Sequence, residues 1–248
     1  MFSPTKQKII DLLQVYPTGV KQIEELFFGD INVYIDHANV RPWATKLGWH
    51  IDYKRLIQFL KSFDNVRSIK IYSGTLVGDI SSEEQIKKFE SYGFDVGTKP
   101  VKIMRHSIDA SSVPPTSPSL VEKFMRKCLL KKLSLETLEY LNNKFREMNQ
   151  SGTFYVEDLK CNFDVEIGRD MLLDFERRKA ETFVLWSGDS DFADPIEQLL
   201  EDKKRVILFA TARKVSTELN ELASRGLFIY DIQKIRNFIC WRREIQKR

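Results

Sequence analysis

Cysteine is scarce in this chain. Its 248 residues hold three, Cys128, Cys161 and Cys240, widely spaced and odd in number. They make neither a zinc-ligand pattern nor a disulfide framework, so a reducing, cytoplasmic setting is expected. No apolar run approaches the roughly 20 residues that cross a bilayer, so no membrane-spanning helix is expected. The opening MFSPTKQKIIDLL lacks the apolar h-region and small-residue cleavage site of a secretory signal. An excess of one charge is missing too. The formal net charge is +4, so the molecule is not a polycation, and a polyanionic partner would have to be held by local basic patches. No internal repeat is visible. What remains is 42% hydrophobic and 30% charged residues, the balance of a globular protein able to bury a core. The length allows one large domain, or one domain with an appendage.

The patterning divides the chain. Ser3-Pro4 reads as a helix start, with proline at the first helical position, and Thr18 to Phe28 as a second helix, so residues 1–29 form a helical N-terminal extension. From residue 30 the pattern alternates. Ile31 to Ile35 is a predicted strand closed by Asp36, and Asp52 to Phe63 a helix capped by Asp52. Val66 to Tyr72 is a strand, and Ser81 opens a capping box for a helix that stops at Gly93. Phe94 to Met104, Thr182 to Trp186, Arg205 to Phe209 and Leu227 to Tyr230 read as further strands. Helices are predicted at Pro195 to Glu201 and Thr217 to Ser224. Strands alternating with helices imply an α/β fold with a mostly parallel central sheet covered on both faces. Residues 106–150 interrupt it with a Pro/Ser-rich loop and a charged helical stretch from Leu120 to Asn149, an insertion too short to hold its own core comfortably. Residues 236–248 read as a basic C-terminal helix or tail, with WRREIQKR as a frayed end.

The chemistry sits in two short stretches. Asp36 ends the first strand, and Asp189 and Asp191 follow the strand Thr182 to Trp186. In parallel sheets ligands bind beyond the C-terminal strand ends. If those strands are neighbours, the three carboxylates converge and raise one another's pKa unless a cation sits between them. Magnesium and manganese take such oxygen ligands. Asn39 adds a neutral amide nearby. In NFDVEIGRDMLLDF, Asp164 and Asp170 lie about 240° apart around a helix, so only one can face the crevice. Asp164, at the helix start, ranks first, Asp170 second and Asp174 well below. Any one of these aspartates is equally well an N-cap. Caps account for each locally, but not for several at the same sheet end.

IDHANV (Ile35 to Val40) and SGDSDF (Ser187 to Phe192) resemble the signature motifs of the NYN domain family, a branch of the PIN-like ribonuclease superfamily. RVILFATARKVSTELNELASRGLFIYDI (Arg205 to Ile232) resembles its C-terminal part. The middle motif departs from the family pattern: KCNFDVEIGRD (Lys160 to Asp170) lacks the family glycine and is one residue longer on the approach to Asp164. The resemblance spans about Ile31 to Ile232, apart from the insertion. It implies a three-layer α/β/α sandwich over residues 30–235 and metal-dependent RNA cleavage. It also implies an acidic Mg²⁺ or Mn²⁺ site of Asp36, Asp164, Asp189 and Asp191, supported by Asn39 and Asp170.

Other residues are weighed beside that site. Ser187 or Ser190 could bond a phosphate or a carboxylate. His37 is expected to turn away from the crevice by strand alternation. Lys123, Lys127 and Lys131, with Arg126, make a basic helix face; alone this reads as a solvated surface, but beside an acidic crevice it reads as backbone neutralisation with salt-sensitive binding. Lys99, Lys102 and Arg105 are expected to flank the crevice. Arg41 could contact phosphate, and Trp43 could stack on a base or pack inside. The expected partner is RNA, single-stranded or structured, with DNA and a homo-oligomer left open. Two rival readings remain. One is a non-catalytic RNA-binding or assembly module on the same fold. The other is a phosphoryl-transfer or receiver-type domain, disfavoured because Asp36-His37-Ala38-Asn39 lacks paired acids after the first strand.

Overall fold

The computed structural model describes every residue except 77, 108–112, 120, 124–129, 151–154, 212–214 and 247–248. It divides into two compact units, Met1–Pro100 with Cys161–Arg248, and Val101–Lys160.

The larger unit is built on six parallel strands. In chain order they are β1 (Ile31–Asp36), β2 (Val66–Thr75), β3 (Asp95–Pro100), β6 (Thr182–Trp186), β7 (Arg205–Ala210) and β8 (Phe228–Asp231). The sheet order is β3-β2-β1-β6-β7-β8, with every pairing parallel. The order runs one way to β1 and the other way from β6, so the topological switch point, where α/β sheets open a crevice, lies between β1 and β6. Both strands are buried along their whole length, as apolar runs covered on two faces must be. Cross-strand aromatics near their C-terminal ends tighten this half: Trp186 stacks on Phe209 at 5.1 Å, and Phe209 meets Tyr230 at 4.9 Å. The α/β class with a mostly parallel sheet is therefore borne out.

The helices that matter to the site are α1 (Gln7–Val15), α2 (Pro17–Leu26), the single turn α3 (His37–Val40), α4 (Trp43–Leu47), α5 (Tyr53–Leu60) and α6 (Ile80–Tyr92). Asp52 caps α5 through the Arg55 amide at 3.1 Å. The α6 cap is Asp79, two residues ahead of the predicted Ser81 box, and Gly93 closes that helix at φ 95°. No described helix is long and apolar enough to cross a membrane.

Several boundaries differ from the sequence reading. Ser3-Pro4 does not start a helix: Ser3 is tied to the α5–β2 turn through Ser62 O at 2.6 Å and Asp64 at 2.9 Å, and α1 begins at Gln7. The segment Phe94 to Met104 is not one strand. Pro100, with no amide hydrogen to donate, ends β3, and Lys102–Ser107 forms a separate strand, β4, paired antiparallel with β5 (Tyr155–Lys160) in the smaller unit. The Thr217 helix is α-helical only to Glu221 and continues as a 3₁₀ turn to Arg225. The basic tail is not frayed as far as it is described. His50 stacks on Trp241 at 3.9 Å and pairs with Glu244 at 2.8 Å, and the Gln246 amide donates to Asn237 at 3.0 Å. The smaller unit also contains α7 (Leu135–Gln150), begun by Ser134, whose hydroxyl accepts the Thr137 amide.

Candidate active site

The site grows out of the ends of β1 and β6. Asp36 is the last residue of β1 and only 5% exposed. One of its oxygens accepts the Asn39 amide at 3.2 Å and so starts α3. The other faces the Ser187 hydroxyl at 3.4 Å. Ser187 is the first residue past β6 and fully buried. Its oxygen also accepts the Asp189 amide at 3.3 Å, so one hydroxyl joins the two motifs. Asn39 joins them a second time, its Oδ1 accepting the Gly188 amide at 3.1 Å and the Trp43 indole at 3.3 Å. The Gly188 carbonyl accepts the Ser216 amide at 3.1 Å. Asp189 caps the short 3₁₀ turn Ser190–Phe192 through the Asp191 amide at 3.4 Å. Asp36 and Asp189 are thus caps as well as site residues.

The third contribution is helix α8 (Asp164–Glu176), which starts on Asp164. No side chain caps that start, and the Asp164 carboxyl lies near those of Asp189 and Asp191, like charges whose repulsion a cation would relieve. The pKa shifts follow from burial and the same repulsion. Burial pushes Asp36 up to about 6, with Asp164 and Asp189 pushing the same way against the Asn39 amide. Asp164 is raised by burial, then by Asp189 and Asp191, while Lys99 opposes. The structure brings Asp36, Asp164, Asp189 and Asp191 together at the switch point as a mutually repelling set.

The chemistry of that donor set, several carboxylates opposed by Lys99, a lysine shared with Glu166, fits a hard oxygen-seeking cation. Among the described residues no three His, Cys, Asp or Glu side chains stand close enough to chelate one ion together. The fit is therefore to a cation that keeps most of its water and takes one or two carboxylates, as Mg²⁺ does.

Other predicted residues separate into groups. Asp170 does not join the set: it accepts from the Tyr72 hydroxyl at 2.8 Å and pairs with Arg169 at 2.9 Å and Lys70 at 3.5 Å. Burial works against its charge, but these partners hold it below the ordinary carboxylate range. Trp43 is fully buried, its indole spent on Asn39, so it cannot stack on a base. His37 is buried, bonded to Ser73 at 2.8 Å and packed edge-on against Phe89 and Tyr53, and burial pulls its pKa down to about 4. Arg41 is exposed beside it, close enough to add to that lowering. Ser190 is half-buried at the head of its turn. Lys99 does lie by Asp164, but its ammonium is also bonded to Glu166 at 2.6 Å. Lys102 and Lys131 are exposed residues of the smaller unit. The side chains of Arg105 and Lys123, and the whole of Arg126 and Lys127, lie outside the described residues.

The sequence reading missed Glu166, half-buried two residues after Asp164 and held below its ordinary pKa by Lys99. It also ranked Asp174 low. That carboxylate is a buried hub taking the Tyr34 hydroxyl at 2.9 Å, the Asn32 amide at 3.1 Å, Lys70 at 3.3 Å and Lys179 at 3.3 Å. The available signal was Lys70, a lysine inside the otherwise apolar Ile69–Ile71 stretch of β2.

Residues 129–239 match the NYN domain family model. The match takes in Asp164, Asp189 and Asp191, while Asp36 precedes it. A search of curated proteins finds no match. Among solved structures the chain is similar to a protein of unknown function from Vibrio parahaemolyticus. That likeness has a TM-score of 0.51 at 16% identity and covers 86% of this chain and 96% of the other; it bears on the fold alone.

Proposed function

We propose that this chain, an NYN-domain protein by the match over residues 129–239, is a metal-dependent ribonuclease. The observation that carries the reading is the convergence of Asp36, Asp164, Asp189 and Asp191 at the switch point, with the pKa of Asp36 and Asp164 raised. A repelling carboxylate set is costly to keep unless a cation uses it. Bound there, Mg²⁺ or Mn²⁺ would supply charge neutralisation at the phosphate and an acidified water.

The chain's own residues do the rest. One or two of Asp36, Asp164 and Asp189 would hold the cation directly and the rest through its bound waters, with Asp36 and Asp189 at a spacing set by the Ser187 and Asn39 bridges. Asp191, the most exposed of the four, orients the attacking water. The water oxygen forms the new P–O bond as the bond to the leaving ribose oxygen breaks. Arg41 and Lys99 offer positive charge to the strand's phosphates. RNA is the favoured substrate through the family; DNA is the comparison to run.

The test is cleavage of labelled single-stranded RNA and DNA by purified protein in Mn²⁺, Mg²⁺ or EDTA, with Asp189→Asn alongside. Metal-dependent cleavage lost in the variant supports the reading. RNA binding without cleavage under any condition sinks it and favours a non-catalytic RNA-binding module.

A further inference from the structure

A second feature of the larger unit lies away from the aspartates. A cavity of about 460 Å³ is lined by Lys6, Lys8, Lys54, Arg55 and Arg242, with an apolar floor of Ile9, Leu12 and Phe238. Among the described residues Asp52 is its only acidic lining residue, and one oxygen of that carboxylate caps α5. Among the described residues, none of the five cations has a carboxylate within ion-pair distance.

Two further observations point to an anion. Lys6 is the N-cap residue of α1; no side chain caps that helix, and its first turn holds no acid, so its amide hydrogens and dipole are directed at whatever fills this end. Arg55 is half-buried, its Nε donating to the Phe238 carbonyl at 3.2 Å and its Nη2 to the Asn237 carbonyl. A guanidinium fixed by backbone carbonyls keeps its full charge, and with Asp52 the opposing carboxylate near it the lining still carries five cations against one acid among the described residues. The cavity volume falls within the roughly 300–1,000 Å³ of small-molecule sites. An extended nucleic-acid strand is held instead along an open groove.

We infer that this cavity binds a phosphorylated small molecule of nucleotide size, its phosphate among Lys6, Lys8, Lys54, Arg55 and Arg242 and its less polar part on Ile9, Leu12 and Phe238. The inference is independent of the nuclease reading.

The test is calorimetric titration of the full-length protein with adenosine monophosphate, pyrophosphate and adenosine, all in EDTA so that no cation bridges a phosphate to the aspartates. Adenosine monophosphate and pyrophosphate should compete for one site, and adenosine should bind at least about tenfold more weakly, because it lacks the charge. The double variant Lys8→Glu/Lys54→Glu changes two exposed side chains and should weaken the monophosphate at least about tenfold, with a melting curve confirming that it folds. Asp189→Asn should leave the affinity unchanged. Equal binding of monophosphate and adenosine, or indifference to the charge reversals, would overturn the proposal. So would an affinity that falls with Asp189→Asn. An oligoribonucleotide that loses affinity in the double variant, while the monophosphate never binds, would assign the patch to an RNA path and overturn it as well.

Discussion

Helix α8 carries two acidic clusters, and they differ in kind. At its N-terminus Asp164 faces Asp36, Asp189 and Asp191, with Lys99 the nearest opposing charge and that lysine shared with Glu166. One to three turns along, Asp170 and Asp174 meet Lys70, Lys179, Arg169, Tyr72 and Tyr34. In the first, Asp36 and Asp164 are raised in pKa; in the second, Asp170 and Asp174 are lowered. The difference teaches which carboxylates the fold uses for itself. Satisfied acids anchor the helix to the sheet, while the unsatisfied ones at its tip are left for something not made of protein.

The sharpest way to break this contrast is to remove a charge from the tip. Asp189→Asn should lower RNA cleavage at saturating Mn²⁺ by about 100-fold or more, the scale of losing several kcal/mol of transition-state charge stabilisation. Its melting temperature should stay level or rise, because one repelling charge is gone. A variant that keeps full cleavage would place the chemistry elsewhere.

The same change made in the anchor should do the opposite. Asp174→Asn leaves Lys70 and the Tyr34 hydroxyl facing an amide in a buried setting. It should cost about 2–3 kcal/mol in denaturant unfolding. In the residual folded fraction at low temperature, turnover should remain close to that of the parent. Equal stability would mean that the hub is not an anchor.

Asp36 in one cluster and Asp170 and Asp174 in the other are shifted in opposite directions. Asp36 is raised from 3.8 to about 6. The folded state therefore binds more protons than the unfolded one between those values, so its contribution to stability falls as pH rises through that window, by about 2–3 kcal/mol. Asp170 and Asp174 are lowered; their contribution is fully present above 3.8 and is lost as pH falls below it. Buried His37, lowered from 6.5 to about 4, contributes stability that rises with pH over nearly the same window and opposes this loss, so the Asp36 contribution is read as a difference. Metal-free Asp36→Asn should gain stability relative to the parent from about pH 4 to pH 6, and added Mg²⁺ should shrink that difference by binding the ionised folded form of the parent. A difference that stays constant across the window would assign Asp36 no part in the pH dependence.

Much of this contrast was legible in the residues. The continuous apolar runs Ile31–Ile35 and Thr182–Trp186 marked buried parallel strands, and Asp36 and Asp189 at their ends marked the crevice. The helical angle between Asp164 and Asp170 separates them, and in the structure Asp164 neighbours Asp36, Asp189 and Asp191 while Asp170 meets Tyr72, Arg169 and Lys70. Less visible was what waited on the other side of α8. Asp170 and Asp174 share a face, but their partners Tyr34, Lys70 and Tyr72 come from β1 and β2, close to or more than a hundred positions earlier, and no local pattern shows which strand a helix will cover. Trp43 posed a similar problem. An indole three residues after a helical turn is equally suited to stacking or packing, and only the position of the Asn39 amide oxygen decides. The break at Val101 and the docked Trp241–Gln246 tail depend on long-range pairing in the same way.

The smallest effect bears on the residue that belongs to one cluster by family resemblance and to the other by contacts. The resemblance of Lys160 to Asp170 to the NYN middle motif would make Asp170 its second acid, yet it is held by Tyr72, Arg169 and Lys70. Its side chain is about one-fifth exposed and Arg169 is mostly exposed, so solvent screens part of the network. Asp170→Asn keeps the shape and an acceptor for Tyr72. It should cost about 0.5–1 kcal/mol of stability and change kcat less than threefold or so, a shift below about 0.7 kcal/mol. The informative readout is the Mn²⁺ dependence of cleavage. An anchor residue leaves the half-saturating metal concentration in place while the melting temperature falls slightly. A rise in that concentration at unchanged stability would move Asp170 into the tip cluster, and α8 would then present its acids to the crevice along two turns instead of one.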